Sequence, residues 1–75
     1  MQSSTRDAAT DRLPRHLRST LFCLLEGASE KRAAARLGLS RHTVHGYITA
    51  LYRHFRVKSR AELLVLCLRR EPRNL

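Results

Sequence analysis

The spacing of the apolar residues constrains this chain more than any other feature. Leu17, Leu21, Leu24 and Leu25 fall at i, i+4, i+7 and i+8, and Val44, Ile48, Leu51, Tyr52 and Phe55 extend the same rhythm to i+11. At roughly 100° per residue, each set gathers on one side of a helix. No run alternates apolar and polar residues as a half-buried strand would, and there is no hairpin signal or internal repeat. The fold class expected is therefore all-α.

Punctuation residues divide the pattern into four helices. Pro14 suits a first helical position, where its missing N–H costs nothing, and Gly27 offers a stop for this first helix. Ser29 can cap a short second segment whose Ala33, Ala34 and Leu37 form an apolar face ending at Gly38. At about two turns it needs tertiary packing to persist. Ser40 is placed to cap a third helix, about residues 41–55. Ser59 is placed to cap a fourth, running through Ala61 to about Arg70, with Glu62 near its start and Arg69 and Arg70 near its end, as the helix dipole favours. Pro72 marks the stop. Residues 1–12 are polar and aperiodic and read as a tail or linker; residues 13–71 form the domain, and 72–75 a C-terminal tail.

Length and charge narrow the function. A 75-residue chain has room for one domain, and a core of that size buries only about 60% of the unfolded surface. Few residues remain to shape a deep pocket. No acidic pair, nucleophile beside a base or phosphate-binding glycine loop is present, so an enzyme is not expected, nor a cofactor. Fifteen Lys and Arg against six Asp and Glu give a formal charge of +9, and all the basic residues except Lys31 and Lys58 are arginine. Arginine forks match phosphate oxygens and guanine edges, which suits nucleic acid. Solubility alone needs far less charge.

Cys23 and Cys67 lie in separate apolar runs and read as buried or interfacial thiols of a reducing compartment. With no apolar stretch near the ~20 residues of a membrane span, a cytoplasmic, nucleoid-associated protein is expected. His42 and His45 are three apart, but two histidines without a third ligand do not make a metal site.

The second and third helices, joined by Gly38-Leu39-Ser40, have the helix-turn-helix pattern. In such a unit the first helix supports the second, whose outer face enters the major groove. On the third helix His42, His45, Gly46, Thr49 and Arg53 cluster opposite the apolar stripe. Gly46 costs roughly 1 kcal/mol relative to alanine within a helix, which reads as close approach of the backbone to DNA. Ser40 is a cap first, though its position also aims backbone N–H groups at a phosphate. Lys31, Arg41, Arg53 and Lys58 are candidate phosphate contacts from charge and helix geometry.

The residues from Ala35 to Val44, ARLGLSRHTV, and from Val57 to Leu63, VKSRAEL, make a more specific pattern. It resembles the LuxR-type (GerE-like) DNA-binding domain, with Gly27, Ala34, Arg36, Leu37, Gly38, Ser40, Thr43, Val44, Val57, Ser59, Arg60, Ala61 and Glu62 in register. The resemblance spans about Leu13 to Arg70. It implies a four-helix domain whose third helix reads double-stranded DNA and whose fourth forms a two-fold dimer. By correspondence His45, Gly46 and Thr49 face the groove, and Thr43, Ser59 and Arg60 meet the DNA backbone. The chain departs from the family pattern in several places. Pro14 and Leu17 stand where the family has a threonine and glutamate that cap helix one. His45 replaces a common lysine, Tyr47 a common histidine, and Arg56 a common loop glycine.

Residues 63–68, LLVLCL, are apolar all round, and such a helix wants burial on two sides. Ala61, Leu64, Val65 and Leu68 are expected to complete the core, leaving Leu63, Leu66 and Cys67, with Arg70, for a homodimer seam. The reading from sequence is a DNA-binding transcription regulator acting as a homodimer, with its signal arriving from a missing or separate sensor domain. The rival reading is a protein-interaction module that modulates other regulators through helix four. An RNA-binding role fits the charge but lacks aromatic stacking platforms.

Overall fold

The computed structural model describes residues 12–70, and everything structural below refers to them. Four helices follow in order: α1 (Arg15–Leu25), α2 (Glu30–Leu37), α3 (Arg41–Phe55) and α4 (Arg60–Arg70), with no strand among the described residues. The expected tails, residues 1–12 and 72–75, lie outside the described residues apart from Arg12, and so does the side chain of Arg70.

Three helix ends share one device. Gly27, Gly38 and Arg56 all adopt left-handed backbone, at φ of 90°, 69° and 59°. In each case the next residue's N–H reaches five residues back: Ala28 to the Cys23 carbonyl, Leu39 to Ala34 and Val57 to Tyr52. The following residue then turns inward. Ala28 is buried, and Leu39 and Val57 pack against the core. This is the arrangement in which a left-handed residue satisfies the orphan carbonyls of a helix end while an apolar neighbour anchors it. The N-termini of α2 and α3 are capped as the sequence suggests. Ser29 Oγ accepts from the Arg32 N–H at 3.1 Å, and Ser40 Oγ from the Thr43 N–H at 3.0 Å. Pro14 sits one position earlier than expected: it is the cap residue of α1, and its carbonyl accepts from the N–H groups of Leu17 and Arg18.

The core is filled by Leu21, Cys23 and Leu24 of α1, Ala33 and Ala34 of α2, Val44, Ile48 and Leu51 of α3, and Leu63 of α4, joined by Leu13 and Ala28. On α1 the buried face is rotated from the expected stripe. Thr20 and Cys23 are buried and Leu25 is exposed, because the helix packs on the Thr20–Cys23–Leu24 side. Thr20 survives there because its hydroxyl donates to the His16 carbonyl at 2.8 Å. A buried hydroxyl with a partner escapes most of the desolvation penalty.

α4 is rotated from its expected orientation, although Leu64 faces the core as expected. Leu63 is 0% exposed and lies in the core, with Leu64 and Cys67 packed against it, whereas Ala61 is exposed and Val65 and Leu68 are 53% and 64% exposed. Leu63 is therefore a core residue, not part of a dimer seam, and Cys67 sits on the same inward side. A helix that is apolar all round carries no periodicity to choose a face. Arg60, Leu63, Leu64 and Cys67 fall at i, i+3, i+4 and i+7, one stripe. The guanidinium of Arg60 donates to the Leu24 carbonyl at the end of α1, 3.1 Å away, so that stripe is the one turned inward.

Arg56 is the non-glycine residue among those with left-handed backbone. For an L-residue with a Cβ this conformation costs about 1–2 kcal/mol, partly offset because glycine loses more freedom on folding. We expect Arg56→Gly to stabilise the domain by about 0.5–1 kcal/mol and to raise the Tm by a few degrees, measured by thermal unfolding. An unchanged or lowered Tm would contradict the strain assigned to this turn.

Candidate nucleic-acid interface

The face of α3 opposite its buried stripe gathers most of the expected contact residues. His42, His45, Gly46 and Arg53 are exposed along it and Thr49 is half-buried, while Arg41, the first residue of α3, is exposed at the helix start on the side of the stripe. Apart from its chain neighbours and the backbone of its own helix, nothing lies within 4 Å of where a Cβ on Gly46 would stand, so that side is open. Lys31 lies exposed on α2, and Lys58 and Ser59 are exposed at the turn into α4.

Several of these side chains are held by partners within the protein. Ser40 Oγ, besides capping α3, donates to Thr43 Oγ1 at 2.9 Å, so Ser40 and Thr43 act as one unit at the N-terminus of the helix. The N–H groups of the first turn point out of this end of the helix, with the positive end of its dipole. Thr49 Oγ1 donates to the His45 carbonyl one turn back at 3.1 Å. Ser59 accepts from the Glu62 N–H at 3.2 Å, while Glu62 Oε1 accepts from the Lys58 N–H at 2.8 Å. This reciprocal pair resembles a capping box with the carboxylate reaching one residue further back.

Arg60, expected at the DNA backbone, is half-buried, and its Nη2 donates to the Leu24 carbonyl, tying α4 to the end of α1. That gives it a part in holding the fold that the sequence pattern did not reveal.

Sequence reasoning also missed three contacts around this face. Glu30, the first residue of α2, accepts from His45 Nδ1 on α3 at 3.0 Å. Glu26 pairs with Arg36, bridging the turn after α1 to α2. The hydrogen bond that Arg36 donates to Glu26, with a smaller contribution from Cys23, raises the guanidinium above its ordinary pKa. Tyr47 packs its ring against His16 of α1, centroids 4.6 Å apart. None of these pairs is adjacent in sequence, so no spacing rule could have found them.

A model of the family described as bacterial regulatory proteins, luxR family, matches residues 15–67, from the first residue of α1 into α4. Comparisons with curated proteins and with solved structures gave no match.

The Arg60 contact makes a prediction about the free protein. Arg60→Ala is expected to destabilise the fold by about 1–2 kcal/mol, the worth of a charged hydrogen bond discounted for partial exposure. Arg41→Ala, at an exposed site without such a contact, should stay within about 0.5 kcal/mol of wild type. Urea unfolding of both variants decides it, and equal stabilities would refute a structural role for Arg60.

Proposed function

The chain belongs to the luxR family of bacterial regulatory proteins and carries its DNA-binding domain; on that premise we propose that it regulates transcription by laying α3 in the major groove of a specific double-stranded site. The observation that carries this reading is the two-sidedness of α3. Val44, Ile48 and Leu51 are buried along one side, and the other presents His42, His45, Gly46 and Arg53 with open space above the glycine. A long helix that is anchored along one side and polar along the other suits a groove about 12 Å wide.

The roles divide by chemistry. His45 and Thr49 are the base-reading candidates: an imidazole can meet a base edge, and a threonine can hydrogen-bond a base or contact a thymine methyl. Gly46 lets the helix backbone come close between them. Arg41, Arg53, Lys31 and Lys58 are the phosphate contacts, with Ser40, Thr43 and His42 at the start of α3 and Ser59 at the turn into α4 completing the backbone set. Phosphate contacts fix register and supply salt-dependent affinity, and base contacts supply the discrimination. Cytoplasmic action follows from this role, and the input signal would come from a sensor domain, attached or separate.

We further propose that two copies pair through the outward face of α4. Ala61, Val65 and Leu68 fall at i, i+4 and i+7, and all three are exposed, with Leu66 half-buried beside them. Val57, Ala61, Val65 and Leu66 line an apolar groove along this side. This replaces Leu63 and Cys67 as the centre of the seam and keeps Leu66. The rival reading, a module that docks on other regulators, uses the same exposed face.

Fluorescence anisotropy with random-core duplexes at two salt concentrations, followed by sequencing of the bound fraction, tests the DNA reading. An enriched two-fold motif is expected, lost in a His45→Glu, Thr49→Glu double variant. Arg41→Ala should weaken binding evenly across sequences and lower the salt slope by about one. A double variant that selects like wild type would remove α3 from the groove and favour the protein-docking reading. Light scattering tests the pairing: Val65→Glu is expected to leave a folded monomer at concentrations where wild type is dimeric. A wild type that stays monomeric at high concentration, with and without DNA, would overturn it.

A further inference from the structure

His45 is the one base-reading candidate whose ring is held by a carboxylate. Its Nδ1 lies 3.0 Å from Glu30 Oε2, and the two side chains are 66% and 36% exposed. Glu30 opens α2, the supporting helix, and Ser29 immediately before it is the cap of that helix. The carboxylate therefore stands on an element fixed against α3 by the buried Ala33 and Ala34.

An ionised carboxylate is an acceptor only, so the hydrogen bond requires the proton on Nδ1. In a neutral imidazole one nitrogen donates and the other accepts. Holding the proton on Nδ1 leaves Nε2 as a lone-pair acceptor on a ring that is mostly exposed. The hydrogen bond made by one histidine nitrogen sets what the other nitrogen can do.

We propose that Glu30 is a positioning residue that sets the base preference of α3 by fixing His45 as an acceptor at Nε2. In the major groove an acceptor matches the exocyclic amino groups, N6 of adenine or N4 of cytosine, and meets only acceptors on guanine O6 and N7 or thymine O4. The domain thus selects adenine or cytosine over guanine and thymine at one position of each half-site. A lysine or arginine at position 45 would do the reverse, because those side chains are donors only. This assignment rests on the reading of α3 as the groove-facing helix and adds the chemistry of one base position to it.

Two measurements on the intact chain test the proposal and separate its failure from that of the DNA reading. The first is ¹⁵N NMR of the His45 ring in free protein at about pH 8.5, above the range where an imidazole ordinarily titrates. The Nδ1–H tautomer is expected in wild type, and Glu30→Gln, whose amide can either donate or accept, should mix the two tautomers. A wild-type ring dominated by Nε2–H would overturn the proposal without touching the DNA reading. The second is selection from random duplexes at the same pH, where the ring is neutral and Nε2 accepts, by wild type, Glu30→Gln and His45→Ala. Wild type should prefer adenine or cytosine at one half-site position by about tenfold, within the range of a good base contact. Both variants should lose that preference and keep the others. If His45→Ala loses it and Glu30→Gln retains it, Glu30 does not position the ring. If His45→Ala selects like wild type, His45 does not read a base and the proposal falls with its assignment.

Discussion

The buried stripe of α3 is the contact on which the other elements depend. Val44, Ile48 and Leu51 are almost fully enclosed, and α3 packs on each of the other three helices. An isolated helix as short as α2, with eight residues, is unstable in water, so its existence follows from docking Ala33 and Ala34 under α3. Alanines permit that close approach because they bring no side-chain bulk between the helix axes. The same packing that stabilises the domain orients its polar face, since the two sides of α3 are fixed to each other by the helix itself.

The ends of the helices are organised by one repeated turn. After α1, α2 and α3 the chain passes through a left-handed residue and buries the apolar residue that follows. Two of the three positions are glycine, which adopts this conformation without a steric cost. The third is Arg56, where the same geometry is imposed by the packing of Val57 and by the paired N–H groups that close on Tyr52 and Arg53. Side-chain identity at that position has yielded to the demands of the surrounding fold. The turn delivers Lys58 and Ser59 to the start of α4, and Arg60 then fastens that helix to the end of α1.

Electrostatics around the polar face follow from the use of few acidic groups. Glu26, Glu30 and Glu62 are the carboxylates among the described residues, and each accepts a hydrogen bond from within the protein: Arg36, His45 and the Lys58 backbone respectively. Negative charge is thus spent on internal geometry, while Lys31, Arg41, Arg53 and Lys58 keep their charge at the surface. Surface ion pairs of this kind add little stability. Their consequence is directional, because each one ties a side chain to a particular neighbour.

The sequence by itself determined the four helices, their class, and the serine and glycine caps, though not the capping role of Pro14 or the turn at Arg56. A 3.6-residue apolar period, serines before helices and glycines after them are local signals, and each acts through chain neighbours a turn or less away. The family also was legible, because its motif residues are those turns and caps in register. The tertiary structure alone decided which side of α4 is inside, since a segment apolar all round offers no periodicity, and a bond from Arg60 across 36 residues to Leu24 sets it. It alone brought Glu30 against His45, fifteen residues apart, and His16 against Tyr47. Contacts between helices depend on rotation and crossing, which no spacing within one helix encodes.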